Sequence, residues 1–169
     1  DSYKGNFEVE TISLPGHDHS PYISRVSFLK KVASYPPRHL VAYSMGSRLA
    51  LEALFFYNAN FLSLTCMSTT LDVQDINTRR KIENRWIENL THSSIKDFVD
   101  FWYSQDLFKG FDPPSYRYNQ EKIELIKVLK EYSILHSQPL HHKIDTAKIP
   151  LQFIYKTGDP KANSLPQGI

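Results

Sequence analysis

Ser44 has the residue type and the surroundings of a catalytic nucleophile. The apolar segment 40–43 leads into it, and the segment 45–57, rich in Ala and Leu, follows directly. A strand, a serine and a helix in this order form a nucleophile elbow, a turn so sharp that the residues two before and two after the serine must be small. Here they are Ala42 and Gly46. The alternative is that Ser44 only caps the helix, because serine is common at that position.

The elbow hypothesis predicts two further groups. The N–H of Met45, at the start of the helix, is placed to stabilise an oxyanion. Asp159 follows the apolar segment 149–156 in a Gly-Asp-Pro turn. A carboxylate there would orient the base that a serine nucleophile needs. The alternative is an ordinary turn aspartate, which is common before proline.

Two arginines have the chemistry to bind anionic substrate groups. Arg48 lies one helical turn beyond Ser44 on a mostly apolar helix, so it either reaches the site or is a surface arginine whose stem covers apolar residues. Arg79 shares a helical face with Trp86 and Leu90. It therefore lies either at the rim of an apolar surface or paired with an anion.

The elements that must position these groups alternate in the first part of the chain. Segments 7–14, 40–43 and 61–67 are predicted strands, and segments 23–35 and 45–57 are predicted helices. This order predicts a parallel sheet covered by helices on both faces. Catalytic groups are then expected at the carboxyl ends of the strands.

The pattern changes after residue 68. Three helical patterns follow one another, at about 75–90, 94–105 and 119–137. Strand-like residues return at 149–156. We therefore expect a partial α/β core at 1–68 and 149–169, with a helical cap at 69–148. An aromatic stripe in the cap, at Phe98, Phe101 and Trp102, is ordinarily part of a core.

The composition is that of an ordinary globular domain. The chain has 169 residues and a net charge of +2, which gives no reason to expect nucleic acid or an anionic membrane as a partner. The single cysteine, Cys66, suits a reducing compartment and lies in an apolar segment, so we predict a buried structural thiol. With no apolar segment long enough to span a bilayer, we expect a cytoplasmic enzyme.

Four segments resemble a known family. Residues 13–20 (SLPGHDHS) resemble the D-L-P-G-H-G-x-S loop of the α/β-hydrolases. Residues 43–48 (YSMGSR) resemble the Y-S-M-G-G-R of one branch, the 2-succinyl-6-hydroxy-2,4-cyclohexadiene-1-carboxylate synthases (MenH) of menaquinone biosynthesis. Residues 79–86 (RRKIENRW) and 101–108 (FWYSQDLF) are similar to the cap of that branch, where an Arg precedes a Trp and then W-Y-x-Q-P-x-F.

This resemblance implies an α/β-hydrolase-type parallel sheet with a helical cap insertion. It also implies a lyase reaction that eliminates pyruvate from a cyclohexene carrying a succinyl chain and several carboxylates. The serine would take part in proton abstraction, no metal or other cofactor would be used, and the partner would be this small polycarboxylate substrate. The implied site residues are Tyr43, Ser44, Arg48, Arg79, Trp102, Phe108 and Asp159.

Some positions depart from the pattern of the family. Ser13, Asp18, Ser47 and Asp106 replace an Asp, two Gly and a Pro, respectively. A further cap arginine of the branch would correspond to Lys127 or Lys130. A lysine keeps the charge of an arginine without its bidentate hydrogen-bonding fork.

The base is missing from its expected place. In α/β-hydrolases the triad runs in the order Ser, acid, His. All seven histidines precede Asp159: His17, His19, His39, His92, His136, His141 and His142. We therefore expect the base beyond Ile169, further strands before residue 7, and a sheet that is incomplete in this chain. A carboxylesterase or related hydrolase and a catalytically incomplete protein are the alternative functions.

Overall fold

The computed structural model describes residues 8–17 and 20–165, apart from the side chain of Ser164. The strands of this part of the chain are β1 (Arg38–Tyr43), β2 (Phe61–Met67) and β3 (Leu151–Ile154). The α-helices are α1 (Arg25–Ala33), α2 (Met45–Phe56), α3 (Ile76–His92), α4 (Ile95–Tyr103) and α5 (Lys122–Glu131). Short 3₁₀ helices lie at Asp106–Phe108, Ser115–Asn119, Ile134–His136, His141–Thr146 and Pro160–Ser164. None of the described helices combines the length and the apolar character needed to cross a membrane.

The sheet is parallel and has the strand order β1-β2-β3. Ala42 of β1 lies opposite Cys66 of β2, which in turn lies opposite Phe153 of β3. The predicted parallel sheet with helices between its strands is confirmed. Because the strands run in the same direction, the residues that follow them meet at one edge of the sheet.

Helices cover only one face of this sheet in the described ranges. Helix α2 packs on β1 and β2, and α1 packs on α2, so that Leu64 and Cys66 are fully buried. Burial raises the pKa of the Cys66 thiol to about 12, and the predicted structural thiol is confirmed. On the opposite face, Val41 and Tyr43 are 68% and 63% exposed. The expectation that helices cover both faces is therefore wrong for these strands.

The predicted strand at 7–14 is also wrong where the structure describes it. Residues 8–14 form no strand, and no backbone hydrogen bond joins residues 8–13 to another described residue. They line a groove of about 1190 Å³ whose other wall is β1. Arg38 at the start of β1 bridges the groove through a 2.8 Å ion pair with Glu10. The apolar alternation is present, but a strand needs a neighbouring backbone, and the groove separates these residues from β1.

The chain between β2 and β3 forms helices and turns. Asp75 caps α3 by accepting a hydrogen bond from the N–H of Thr78, and Ser94 caps α4 in the same way. Leu90, Phe98 and Leu125, one from each of α3, α4 and α5, form the centre of a second apolar cluster. This cluster carries the aromatic side chains of the candidate site.

The turn at Gly16 packs the first described segment against α5. Gly16 has a φ of +71°, and a Cβ at this position would lie 2.7 Å from Cγ2 of Val128. Glycine is therefore required both by the backbone conformation and by the close approach of the helix.

We expect Gly16→Ala to lower the free energy of unfolding by about 2–3 kcal/mol, because it adds an overlap to an unfavourable φ. Gly158→Ala is the matched control, since Gly158 has a φ of +78° but open space around the added carbon. It is expected to cost only about 1 kcal/mol. Urea unfolding of both variants measures the difference, and equal losses would contradict the proposed contact.

Candidate active site

Ser44 occupies a strained turn at the carboxyl edge of the sheet. It joins β1 to α2 with φ +50° and ψ −114°, a conformation that costs a non-glycine residue about 1–3 kcal/mol. Its N–H donates a 2.8 Å hydrogen bond to the carbonyl of Met67 at the end of β2. Its hydroxyl makes no capping hydrogen bond to α2. The geometry is that of an elbow rather than of an ordinary helix cap.

Gly46 is less constrained than the sequence motif predicts. A Cβ at this position would meet no atom within 4 Å apart from those of its own helix. Gly46 borders the groove beside β1, as do Ala42 and Tyr43. The expectation that position 46 must be small is therefore wrong in this structure, because the groove leaves space there.

Ser47 ties the elbow to the sheet. Its buried hydroxyl donates a 2.7 Å hydrogen bond to the carbonyl of Ala42 and accepts a 3.2 Å hydrogen bond from the N–H of Met67. The hydroxyl thus joins the ends of β1 and β2 beneath Ser44. The sequence showed only that a serine replaces the glycine of the related motif.

Ser47→Ala is expected to lower the free energy of unfolding by about 1–2 kcal/mol, since two backbone groups lose their partner in a buried place. Ser63→Ala serves as its control. The hydroxyl of Ser63, nearer the start of β2, contacts Nδ1 of His39 on β1, and its loss is expected to cost less than about 0.5 kcal/mol. Thermal or urea unfolding distinguishes the two. A neutral Ser47→Ala would mean that water replaces the hydroxyl.

Asp159 lies beyond β3 at the same edge of the sheet. Its Oδ2 accepts a 3.0 Å hydrogen bond from the hydroxyl of Ser68, and its Oδ1 accepts a 3.0 Å hydrogen bond from the N–H of Lys161. The carboxylate is half-buried and also caps the 3₁₀ helix that follows. The parallel sheet therefore places Ser44 and Asp159 at one edge, as the order of the strands predicts.

The described histidines do not complete a triad. Nδ1 of His17 lies 3.0 Å from the carbonyl of Pro15, and burial lowers the pKa of His17 below its ordinary value. His39 contacts Ser63, on β2. Within residues 8–17 and 20–165, no hydrogen bond joins a histidine to Ser44 or Asp159. His19 and Asp18 lie outside the described residues.

Arg48 is buried under the segment that follows α5. Its guanidinium donates a 2.7 Å hydrogen bond to the carbonyl of Tyr132 and further hydrogen bonds to Ser137 and Glu52. Only 5% of the residue is exposed. Burial lowers its pKa to about 10, an effect that the carboxylate of Glu52 opposes. Arg48 is thus not a surface arginine, and its donors already have partners inside the protein.

Arg79 lies at the edge of the aromatic cluster, as one of the two alternatives from the sequence predicts. Its Nε donates a 2.6 Å hydrogen bond to Glu83, and its guanidinium lies 4.9 Å from the ring centre of Trp86. Glu83 also accepts a hydrogen bond from Ser133, the neighbour of Tyr132, whose carbonyl binds Arg48. The two candidate cations therefore belong to one charged region.

This charged region contains further charged side chains that the sequence motif did not indicate. Arg25 pairs with Glu52 from the other side, and Ser133 donates a hydrogen bond to Glu83. Three arginines and two glutamates leave one formal positive charge. A signal was present in the sequence, because Arg48–Glu52 and Arg79–Glu83 both have the i,i+4 spacing that brings two side chains together on a helix.

Aromatic side chains form a wall next to Arg79. Trp86 lies 4.8 Å from Trp102, and Trp102 lies 6.5 Å from Phe108 between ring centres. Tyr103 contacts the same Phe108 ring at 4.7 Å. The structure thus connects Arg79, Trp102 and Phe108 through Trp86, which the sequence placed only on the apolar stripe.

Three other candidates have different neighbours. Tyr43 is largely exposed and faces the groove beside β1. Lys127 lies over the ring of Tyr22 at 5.3 Å. Lys130 lines a cavity of about 650 Å³ between α3 and α5, together with Arg80 and Glu83. Neither lysine shows a contact with Arg79 or Arg48 that would identify it as the further cap cation.

Comparison with known proteins connects this geometry to a fold family. No protein-family model and no curated protein matches the sequence. Among solved structures, MenH from S. aureus matches with a TM-score of 0.71 and 21% sequence identity. The match covers 84% of this chain and 62% of that one, so the chain spans less than two thirds of the MenH structure. The chain has the α/β-hydrolase fold.

The α/β-hydrolase fold explains why a strained turn lies between β1 and α2. In this fold the turn after a parallel strand exposes a serine above the sheet, and the N–H of the next residue contributes to an oxyanion hole. Met45 follows Ser44 in this chain and is the first residue of α2. The first N–H groups of a helix have no partner within the helix, which leaves that of Met45 suited to a developing negative charge.

A metal centre has no counterpart among the described residues. No group of three or more His, Cys, Asp or Glu side chains in those ranges is arranged to hold a metal ion. Ser44, Arg48 and Arg79 supply a hydroxyl and two cations, and Trp102 supplies apolar surface. These groups suit proton transfer or acyl transfer on an anionic organic substrate.

Proposed function

We propose that this chain carries the site of a lyase-type synthase that eliminates pyruvate from a succinyl-bearing cyclohexene carboxylate in menaquinone biosynthesis. The observation that carries the proposal is Ser44 in its strained turn, with Arg48 one turn further along the same helix and linked to Arg79 through Tyr132, Ser133 and Glu83. The shared fold with MenH from S. aureus supports it at the level of architecture. The substrate is a small polycarboxylate.

The proposed reaction uses Ser44 as the group that removes a proton from carbon. The electron pair of the broken C–H bond forms a new C=C bond, the existing double bond of the cyclohexene shifts by one position, and the C–O bond to the enolpyruvyl group breaks. That group leaves as the enolate of pyruvate with the oxygen and the electron pair of the C–O bond, and it takes up one proton on its CH2 carbon to become pyruvate, which balances the proton removed from the ring. The hydroxyl of Ser44 must itself lose a proton to a base, for which the mechanism requires a histidine oriented by Asp159.

The arginines and the aromatic wall would bind the substrate. Arg48 and Arg79 are each paired with a glutamate, Glu52 and Glu83 respectively. A substrate carboxylate competes with these glutamates for the guanidinium groups. The rings of Trp102 and Phe108 would exclude water from the site, and a site without water strengthens ionic contacts.

Pyruvate release from the pathway intermediate tests this proposal, with coupled lactate dehydrogenase as the detector. We expect Arg79→Met to raise KM by about tenfold or more, since a charged hydrogen bond to the substrate is lost. Arg80→Met is the matched control, because Arg80 is an exposed arginine next to Arg79 on the same helix. No pyruvate from wild-type protein would overturn the proposed reaction.

A carboxylesterase is the second candidate, and one observation favours it. Both Arg48 and Arg79 already have glutamate partners, which reduces the charge available to a substrate with several carboxylates. Turnover of p-nitrophenyl esters that depends on Ser44, without pyruvate release, would support this function. Absence of both activities would leave a catalytically incomplete protein on the same scaffold.

A further inference from the structure

Ser68 has an unusual backbone conformation at the carboxyl edge of the sheet. It follows β2 directly, with a φ of +47°, which non-glycine residues rarely adopt. Its N–H donates a 2.9 Å hydrogen bond to the carbonyl of Ile154 at the end of β3. Its carbonyl accepts a 3.3 Å hydrogen bond from Nζ of Lys161. Both sides of its peptide backbone are thus held in place by β3 and the turn beyond it.

The consequence of this conformation is the direction of the Ser68 hydroxyl. It donates a 3.0 Å hydrogen bond to Oδ2 of Asp159, while the N–H of Lys161 donates to Oδ1. Each carboxylate oxygen therefore has one fixed donor and retains acceptor capacity for another. Two donors on the two oxygens restrict the rotation of the carboxylate, and an acid that must orient a base needs this restriction.

The position of Ser68 connects it to Ser44. Both serines directly follow neighbouring strands, both have positive φ, and both donate their N–H to the next strand of the sheet. Observed backbone strain of this kind is concentrated at functional sites. No sequence motif pointed to Ser68, because its contact with Asp159 spans 91 residues.

We propose that Ser68 is a positioning residue that fixes the carboxylate of Asp159 for the base of the site. The proposal rests on the proposed function, in which Asp159 orients a histidine. Ser68 does not touch the substrate or the reacting atoms. Ser68 acts by fixing the direction of the remaining acceptor site on the carboxylate of Asp159. The base that this carboxylate binds then faces Ser44.

The test compares two substitutions that separate the hydroxyl from the backbone. Ser68→Gly removes the donor and permits the positive φ, so it is expected to fold while kcat for pyruvate or ester turnover falls about ten- to a hundredfold at unchanged KM. Ser68→Thr keeps a hydroxyl but strains the backbone further, so it is expected to restore kcat while lowering the melting temperature. A merely structural role would instead make kcat follow stability in both variants.

Asn58→Gly is the matched control. Asn58 also has a positive φ, of +56°, and lies between α2 and β2 away from Asp159. Its replacement by glycine changes the backbone preference in the same way and is expected to leave kcat unchanged. Equal kcat values for Ser68→Gly and Asn58→Gly would overturn the positioning role.

Hydrogen exchange supplies a readout that does not need activity. The amide of Lys161 donates to the carboxylate that Ser68 holds, so its exchange is expected to become about tenfold faster in Ser68→Gly and to stay unchanged in Asn58→Gly. Unchanged exchange in Ser68→Gly would overturn the proposal even if the enzyme is active. Inactive wild-type protein with faster exchange in Ser68→Gly would overturn the proposed function and retain the role of Ser68 in holding Asp159.

Discussion

Ser44→Ala is expected to lower pyruvate release by about 10²–10⁴-fold, the contribution of a positioned group that transfers a proton in the transition state. KM is expected to change little, because in the proposed function the carboxylates of the substrate contact the arginines and not the hydroxyl. The measurement is a steady-state titration with the pathway intermediate. A rise in KM with an unchanged kcat would mean that Ser44 binds the substrate without transferring the proton.

Ser44→Gly separates the chemistry from the fold. Glycine adopts the φ of +50° without the cost that a side chain imposes, so we expect the free energy of unfolding to rise by about 1 kcal/mol while activity is lost. Activity and stability then change in opposite directions. If activity and the free energy of unfolding both fell, the backbone strain at Ser44 would be needed for folding. The loss of activity would then be a consequence of the loss of stability.

Arg48→Met is expected to have the largest effect on stability, a loss of about 3 kcal/mol in the free energy of unfolding. The substitution removes the donor to the carbonyl of Tyr132 and leaves the buried carboxylate of Glu52 with only Arg25 as its cation. Removing one member of a buried ion pair costs about 3–5 kcal/mol. We expect the lower end of this range, because Arg25 remains as a partner of Glu52. Urea unfolding at neutral pH measures it.

Two further variants test the reason for that loss. Adding Glu52→Met to Arg48→Met removes the buried carboxylate that has lost one of its two cationic partners and is expected to recover part of the stability. Lys96→Met is the surface control, since Lys96 pairs with Asp100 at the same i,i+4 spacing but is 71% exposed, and no measurable change is expected. A double variant no more stable than Arg48→Met would show that the cost comes from the lost contact with Tyr132.

Local features of the site could be predicted from the sequence, because neighbouring residues determine them. The strand before Ser44, the helix after it and the turn containing Asp159 all lie within short windows of sequence. Their positions at one edge of a parallel sheet followed from the order of the elements. The i,i+4 pairs of Arg48 and Arg79 were equally local, although the prediction considered only the cations.

Features that depend on distant contacts could not be predicted. Residues 8–14 have strand-like alternation, yet none of the described strands pairs with them, and sequence periodicity contains no information on a pairing strand. Ser68 reaches Asp159 only because two strands pair and its φ is positive. Arg48 was expected either at the site or at the surface, whereas the segment following α5 covers it.

The groove beside β1 has a consequence for the response of the protein to heat. Ala42, Tyr43 and Gly46, which flank Ser44, border open space, so the strained turn is held mainly through Ser47 and Met67 on one side. A segment supported on one side opens at a lower free energy than the surrounding helices. Thermal inactivation should therefore precede melting, with the elbow as the weakest part of an otherwise intact fold.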